Sequence, residues 1–312
     1  MAIYDIDGNR LDASHHIVVT GDTGSAIQTA INEAYNSGGG VVELDANKTY
    51  LVSDQITLYS DFVTLIGNGA KLDASSNSGN SAIKIIGGSI LETESEQIRQ
   101  QYLHYMEGIY LIGSNRTPDY TGGRSGTGIL CAGTSLTNIS QGFLIKNCAI
   151  AGFQIGVDFQ AQSWCNTLFK CDISVCDIGV RVASGYNNYG EKLSILDGCL
   201  HSNNLAMSIN RSVGTFQCID VAFDYNFAIA QCSNGHIYCS NCHLESTKNK
   251  DYWFKVTGGV MLVRDSVFYG QQGTYGLVSM TGGKLYLKDN TKETWSMAAN
   301  SISGGTFDEA WI

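Results

Sequence analysis

At 312 residues, with 43% apolar and 15% charged side chains, the chain is long enough for one or two packed domains. A net charge of −10 and a pI near 5.0 leave no clustered Lys and Arg of the kind a nucleic-acid partner needs. No apolar run approaches the ~18 residues of a membrane span, and no charged-then-apolar leader opens the chain, so neither membrane insertion nor a signal peptide is expected.

In chain order, Met1–Ile17 reads as a short strand, a turn and a second extended piece. Asp5, Asp7 and Asn9 alternate like the start of a calcium loop, but Gly8 sits too early and no distal Glu follows, so the stretch is a turn. His15 and His16 are adjacent and point apart on an extended segment. No metal set and no cofactor motif is assembled anywhere in the chain. Ser25 with Gln28 makes a capping box, and Ala26, Ile27, Ala30, Ile31 and Ala34 give a helix over 25–36 one apolar face. Gly38–Gly40 stop that helix, and strands follow at 41–44, 56–58 and 63–66. A helix of this kind blunts the open end of a strand stack.

Further strands are expected at 82–86 and 108–112, with a protruding loop at 91–106 between them. A second loop, 115–126, holds the single Pro, two Arg and Tyr120, and is expected to lie over a groove. From Phe143 to Lys288 the chain repeats itself. The apolar residues Ile150, Ile173, Leu200, Phe223, Leu244 and Phe268 lie 23, 27, 23, 21 and 24 residues apart. A second column, Val157, Val180, Met207, Ile229, Phe254 and Leu277, keeps the same step. Short alternating segments at such a period mean coils of a parallel β-helix, an all-β solenoid. Cys148, Cys171 and Cys242 share one inward repeat position, and Cys218 and Cys239 another. The ten Cys therefore read as buried free thiols and imply synthesis in a reducing compartment. Beyond Lys288 the repeat fades. The expected division is an N-terminal attachment segment (1–20), the solenoid with its cap (21–290) and a C-terminal cap or interface segment (291–312).

The order GDTGSAIQTAINEAYNSGGGVVEL, Tyr50, ITL and VTLIGNG, with the later NCAIAGFQIGV and KCDISVCDIGV, resembles the pectate-lyase-like right-handed parallel β-helix superfamily, over roughly residues 20–290. That superfamily holds pectate lyases, polygalacturonases and phage tailspikes, so the likeness implies a fold more than a reaction. The polygalacturonase motifs break here: Asn166-Thr167 runs into Leu168, and Gly235-His236 into Ile237.

Stacked coils bring equivalent positions ~4.8 Å apart. The residues following the first column are Ala151, Ser174, His201, Asp224, Glu245 and Tyr269, which puts His201, Asp224 and Glu245 in one outward row. Paired acids suit glycoside cleavage, where one carboxyl is held protonated and the other ionised. Tyr186, Asn188, Tyr189 and Tyr120, on loops, are the expected sugar contacts. A second row, Asn147, Lys170, Asp197, Asp220, Asn241 and Asp265, reads as a ladder of bend residues, with Asp197 and Asp220 as reserve acids. Gln154, Asp177, Asn204 and Asn226 read as a further turn ladder, and Asp158 with Arg181 as a stacked surface pair. Three functions are carried forward. One is a phage tail appendage that binds, and in one form cleaves, a bacterial surface glycan. The others are an inert structural virion component and a bacterial polysaccharide lyase or hydrolase. The resemblance also implies a homotrimer held in a virion through its N-terminal segment.

Overall fold

The computed structural model describes residues 15–77, 79–87, 104–118, 123–134, 139–185, 189–246, 251–270, 276–293 and 299–311. Three parallel sheets run the length of the molecule, and each coil contributes one strand to each in turn. Sheet 1 takes strands such as Leu144–Lys146, Thr167–Phe169 and Leu193–Leu196. Sheet 2 takes Ala149–Ala151, Asp172–Ser174, Cys199–His201, Ala222–Asp224 and His243–Ser246. Sheet 3 takes Ile155–Phe159, Ile178–Val182 and the strands that follow. With a period of two, each short strand sends alternate side chains inward, and the inward set forms one continuous core along the axis. The fold is the expected right-handed parallel β-helix.

The first apolar column holds throughout, with Ile150, Ile173, Leu200, Phe223, Leu244 and Phe268 in register and all fully buried. The second column slips by one. Met207 pairs with Ala230, and Phe254 with Val278, in place of the expected Ile229 and Leu277. The ladder Leu205–Ala228, Met207–Ala230 runs without a shift, and Ile229 and Ala230 both donate to the Trp253 carbonyl. Ile229, Ala230, Leu277 and Val278 are all buried, which is why apolarity alone does not fix the register.

The bend ladder between sheets 1 and 2 is as expected. Asn147, Lys170, Asp197, Asp220, Asn241 and Asp265 all adopt left-handed backbone, with φ between 50° and 56°. Asn and Asp tolerate that conformation best. The next position in each coil points inward and carries Cys148, Cys171 and Cys242, buried and free as expected. At the bend between sheets 2 and 3 the expected ladder is corrected. Asn226 aligns with Asn203, not Asn204, and both side chains are buried. Asn203 accepts from the Cys176 amide at 2.9 Å and donates to the Ile173 carbonyl at 3.0 Å. Asn226 accepts from the Asn203 amide and donates to the Leu200 carbonyl. Stacked amides thus satisfy backbone groups that the bends would otherwise orphan.

The capping helix spans Gly24–Asn36 and buries Ile27, Ala30, Ile31 and Ala34. The expected capping box does not form: the cap is Thr23, whose hydroxyl accepts from the Ala26 amide. Gln28 instead clips the helix to the strand Ile56–Tyr59, bonding both the amide and the carbonyl of Thr57. His16–Val18 pairs with Val41–Glu43, and at the far end Thr306–Trp311 pairs with the strand Lys284–Glu293. Asp158 corrects the surface-pair expectation. Its side chain is fully buried, Arg181 holds it with two bonds at 3.0 and 2.7 Å, and Gln160 supplies a third at 2.6 Å.

Candidate functional site

Sheet 2 carries the site. Its register places Ser174, His201, Asp224, Glu245 and Tyr269 in one outward row on successive coils, as the sequence implies. Two residues upstream on the same strands lies a second outward row, Asp172, Cys199, Ala222 and His243. Positions i and i−2 of a strand share a face, so the two rows form one patch. Of that patch, the sequence reading misses Asp172, Cys199 and His243. The same period-two rule, applied one step further back, would have found them.

The titratable groups meet as one couple and one set of three. His201 Nε2 lies 3.1 Å from Asp172 Oδ1. His243 Nε2 sits 3.6 Å from Asp224 Oδ1 and 3.5 Å from Glu245 Oε2, and its ring lies 4.7 Å from that of Tyr269. Asp224 and Glu245 are each 26% exposed, open to solvent yet partly shielded. Burial pushes the Asp224 carboxyl above its ordinary range, and the Glu245 charge adds to the rise, while His243 and His201 oppose it. The hydrogen bond with Asp172 raises His201, against a smaller loss from burial. Burial drives the neighbouring Cys199 thiol up to about 12, so it stays protonated. The patch therefore holds one carboxyl biased towards its acid form next to a second carboxylate, with an imidazole biased towards its cation beside them.

Asp224, His243 and Glu245 bring one ligand atom each within 4.8 Å of one another. One imidazole and two carboxylates are a donor set that suits a divalent cation, which the sequence reading did not assemble.

The loop contacts expected from sequence fare differently. Tyr120, Tyr186 and Asn188 lie outside the described residues. Tyr189 is a correction. It is fully buried, its hydroxyl donates to the Ala183 carbonyl, and Arg211 packs over its ring at 4.6 Å, so no face remains for a sugar. Tyr269, half-buried at the end of the row, offers an aromatic ring on the patch itself. The described part of loop 115–126 is pinned by Arg124, whose buried guanidinium donates to Asp177 Oδ1 at 2.8 Å and to the Thr117 carbonyl at 2.8 Å. The reserve acids Asp197 and Asp220 stay in the bend ladder, paired with Lys170 and Asn241.

No protein-family model matches the chain, and no curated protein matches it. Solved structures do. A protein of Geobacillus virus E2, ORF18, superimposes with a TM-score of 0.69 at 15% identity, over 96% of this chain and 62% of that one. The enzymatically active domain of tailspike protein 4 from bacteriophage CBA120 gives 0.67 at 13% identity, over 94% and 43%. The A-module of the Azotobacter vinelandii mannuronan C-5 epimerase AlgE4 gives 0.53 at 14%, over 92% and 90%. The chain thus spans less than two thirds of each of the two phage proteins. What it shares with all three is the fold, a parallel β-helix found in phage tailspikes and in enzymes that act on polysaccharides.

Proposed function

We propose that this protein is a phage tail appendage whose sheet 2 face binds a bacterial surface polysaccharide and cleaves it with Asp224 and Glu245. The observation that carries the reading is the stacked acid pair, with Asp224 biased towards its protonated form beside Glu245. In this scheme Asp224 protonates the leaving glycosidic oxygen. Glu245 attacks the anomeric carbon, and water then releases the sugar with Asp224 acting as base. Carboxylate oxygens within 4.8 Å favour this retaining route, since inversion needs roughly 6.5–9.5 Å to admit a water between the acids. His201, held by Asp172, donates to sugar hydroxyls and assists. Tyr269 stacks on a sugar ring, with Tyr120, Tyr186 and Asn188 as further contacts. The phage neighbours support a place in a virion; the same reading takes residues 1–20 as the attachment segment, host recognition as the role and a homotrimer as the assembly. Incubation with purified capsule and wall glycans, scored by release of reducing ends, tests the reading. Asp224→Asn and Glu245→Gln are each expected to lower the rate by orders of magnitude. Binding without release in the wild type would leave a glycan receptor-binding protein and discard the catalytic roles.

A further inference from the structure

We propose that Asp224, His243 and Glu245 form an open, three-ligand site for a divalent transition ion of the zinc class. The ion sits on the acid pair proposed above, and the inference rests on that reading only for its consequence, the arrest of cleavage.

The strand register builds the site. Asp224 and Glu245 are neighbours on successive coils, and His243 lies two residues before Glu245, so all three leave one face of sheet 2. The partner of His243 on the Asp224 strand is Ala222, whose methyl leaves the imidazole room to lean towards Asp224. His243 Nε2 therefore faces both acids, 3.6 Å from Asp224 Oδ1 and 3.5 Å from Glu245 Oε2. Those separations are long for hydrogen bonds from nitrogen, which favour about 2.7–3.2 Å. They match the edge of a tetrahedron around zinc, about 3.4 Å for bonds of ~2.1 Å. The third edge, between the two carboxylates, lies within 4.8 Å and closes with a turn of one side chain.

Two further observations favour a cation over a plain hydrogen-bonded cluster. Asp224 Oδ1, the oxygen facing His243, is shut off from solvent and has no hydrogen-bond partner among the described residues. A buried acceptor in that state is costly, and a bound cation satisfies it. Nor does any Lys or Arg among the described residues pair with either carboxylate. The other Asp224 oxygen, Oδ2, has the Cys199 sulfur 4.0 Å away, the place of an outer partner that steers a ligand. All three side chains keep a solvent-facing part, so an ion can enter and water can complete its fourth position.

The donor set also selects the ion. Imidazole suits zinc, cobalt, nickel and copper, whereas calcium collects about six to eight oxygens and magnesium keeps most of its waters. One nitrogen and two carboxylates fall short of what either hard ion needs. With an ion on both carboxylates, Asp224 cannot hold the proton meant for the leaving oxygen, and Glu245 is not free to attack. Occupancy and cleavage exclude each other.

Calorimetric titration of the full chain with zinc chloride, in a phosphine reductant, tests the site. The proteins are wild type, His243→Ala, Glu245→Gln and Asp197→Asn, the last an acid of the bend ladder outside the site. One zinc per chain is expected, with a Kd below ~10 μM in wild type and in Asp197→Asn. Loss of a ligand should weaken binding by at least the ~10-fold that loss of an outer partner costs, in His243→Ala and Glu245→Gln alike. Calcium chloride should give no binding below about 1 mM. Cobalt should show the visible absorption of a four-coordinate ion without a thiolate charge-transfer band, which sets this site apart from the cysteines. Both substituted side chains are partly exposed, and an unchanged far-UV circular dichroism spectrum in either variant is enough for the comparison. No binding at ~100 μM zinc overturns the proposal. So does binding that persists in both site variants, a thiolate band, or calcium held as tightly as zinc. The titration needs no glycan, so the two proposals fail separately: zinc bound here without loss of cleavage discards the acid pair and keeps the site.

Discussion

Asn203→Ala probes the device that lets the coils turn. The Asn203 side chain satisfies two buried backbone groups, the Cys176 N–H at 2.9 Å and the Ile173 carbonyl at 3.0 Å. It also donates to Asn226 Oδ1 at 3.1 Å. Alanine leaves both backbone groups without a partner, each at about 1–3 kcal/mol, in a site with no exposure to water. The expected loss is therefore roughly 2–6 kcal/mol, a large share of the ~5–15 kcal/mol of a typical domain. Asn204→Ala, next door and only half-buried, removes one bond to Asp177 and is expected to cost less than about 1.5 kcal/mol. Equilibrium urea unfolding of the three proteins, followed by circular dichroism, gives the comparison. Equal losses for Asn203→Ala and Asn204→Ala, or a loss below about 0.5 kcal/mol at Asn203, would refute the stacked-amide account.

Three other outcomes are expected. Non-reducing mass spectrometry should find Cys148, Cys171 and Cys242 as free thiols, and alkylation of the native protein should spare them; a disulfide among them would contradict the packing. Arg181→Ala should cost about 3–5 kcal/mol, because it leaves the buried Asp158 carboxylate without its cation, and a change within 0.5 kcal/mol would show that Asp158 is neutral or hydrated. In a proton NMR titration His201 should show a midpoint above 6.5, and Asp172→Asn should lower it. Because the folded-state value is raised, the stability this couple adds is complete below the unfolded value of ~6.5 and is lost as pH rises through the folded midpoint.

The coil architecture was legible because inward positions of a solenoid are apolar in nearly every turn, and Ile150, Ile173 and Leu200 report it directly. The same logic fails where two neighbours are both apolar. Ile229 and Ala230 cannot be told apart by hydropathy, and the strand pairing of Ala230 with Met207 and Phe254 sets the register. Burial of outward residues is the second gap. Sequence put Asp158 next to Arg181 and Tyr189 on a loop, but it carries no record of what packs over an outward position, and both are buried. The last coil was missed although Phe307 lies 22 residues beyond Leu285, within the step of the earlier coils. The row His201, Asp224 and Glu245 followed from equal spacing. The imidazole of His243 between the two acids did not, because it sits on the neighbouring row of the same face.

The most direct measurement is the pH dependence of glycan cleavage by the wild type and by Asp224→Asn. If Asp224 is the general acid, wild-type cleavage is strongest on the acid side and falls as pH rises through the raised pKa of Asp224. The variant should lack that limb and cleave orders of magnitude more slowly, with its fold intact. A variant that matches the wild type in rate and pH profile would contradict the assignment of this site.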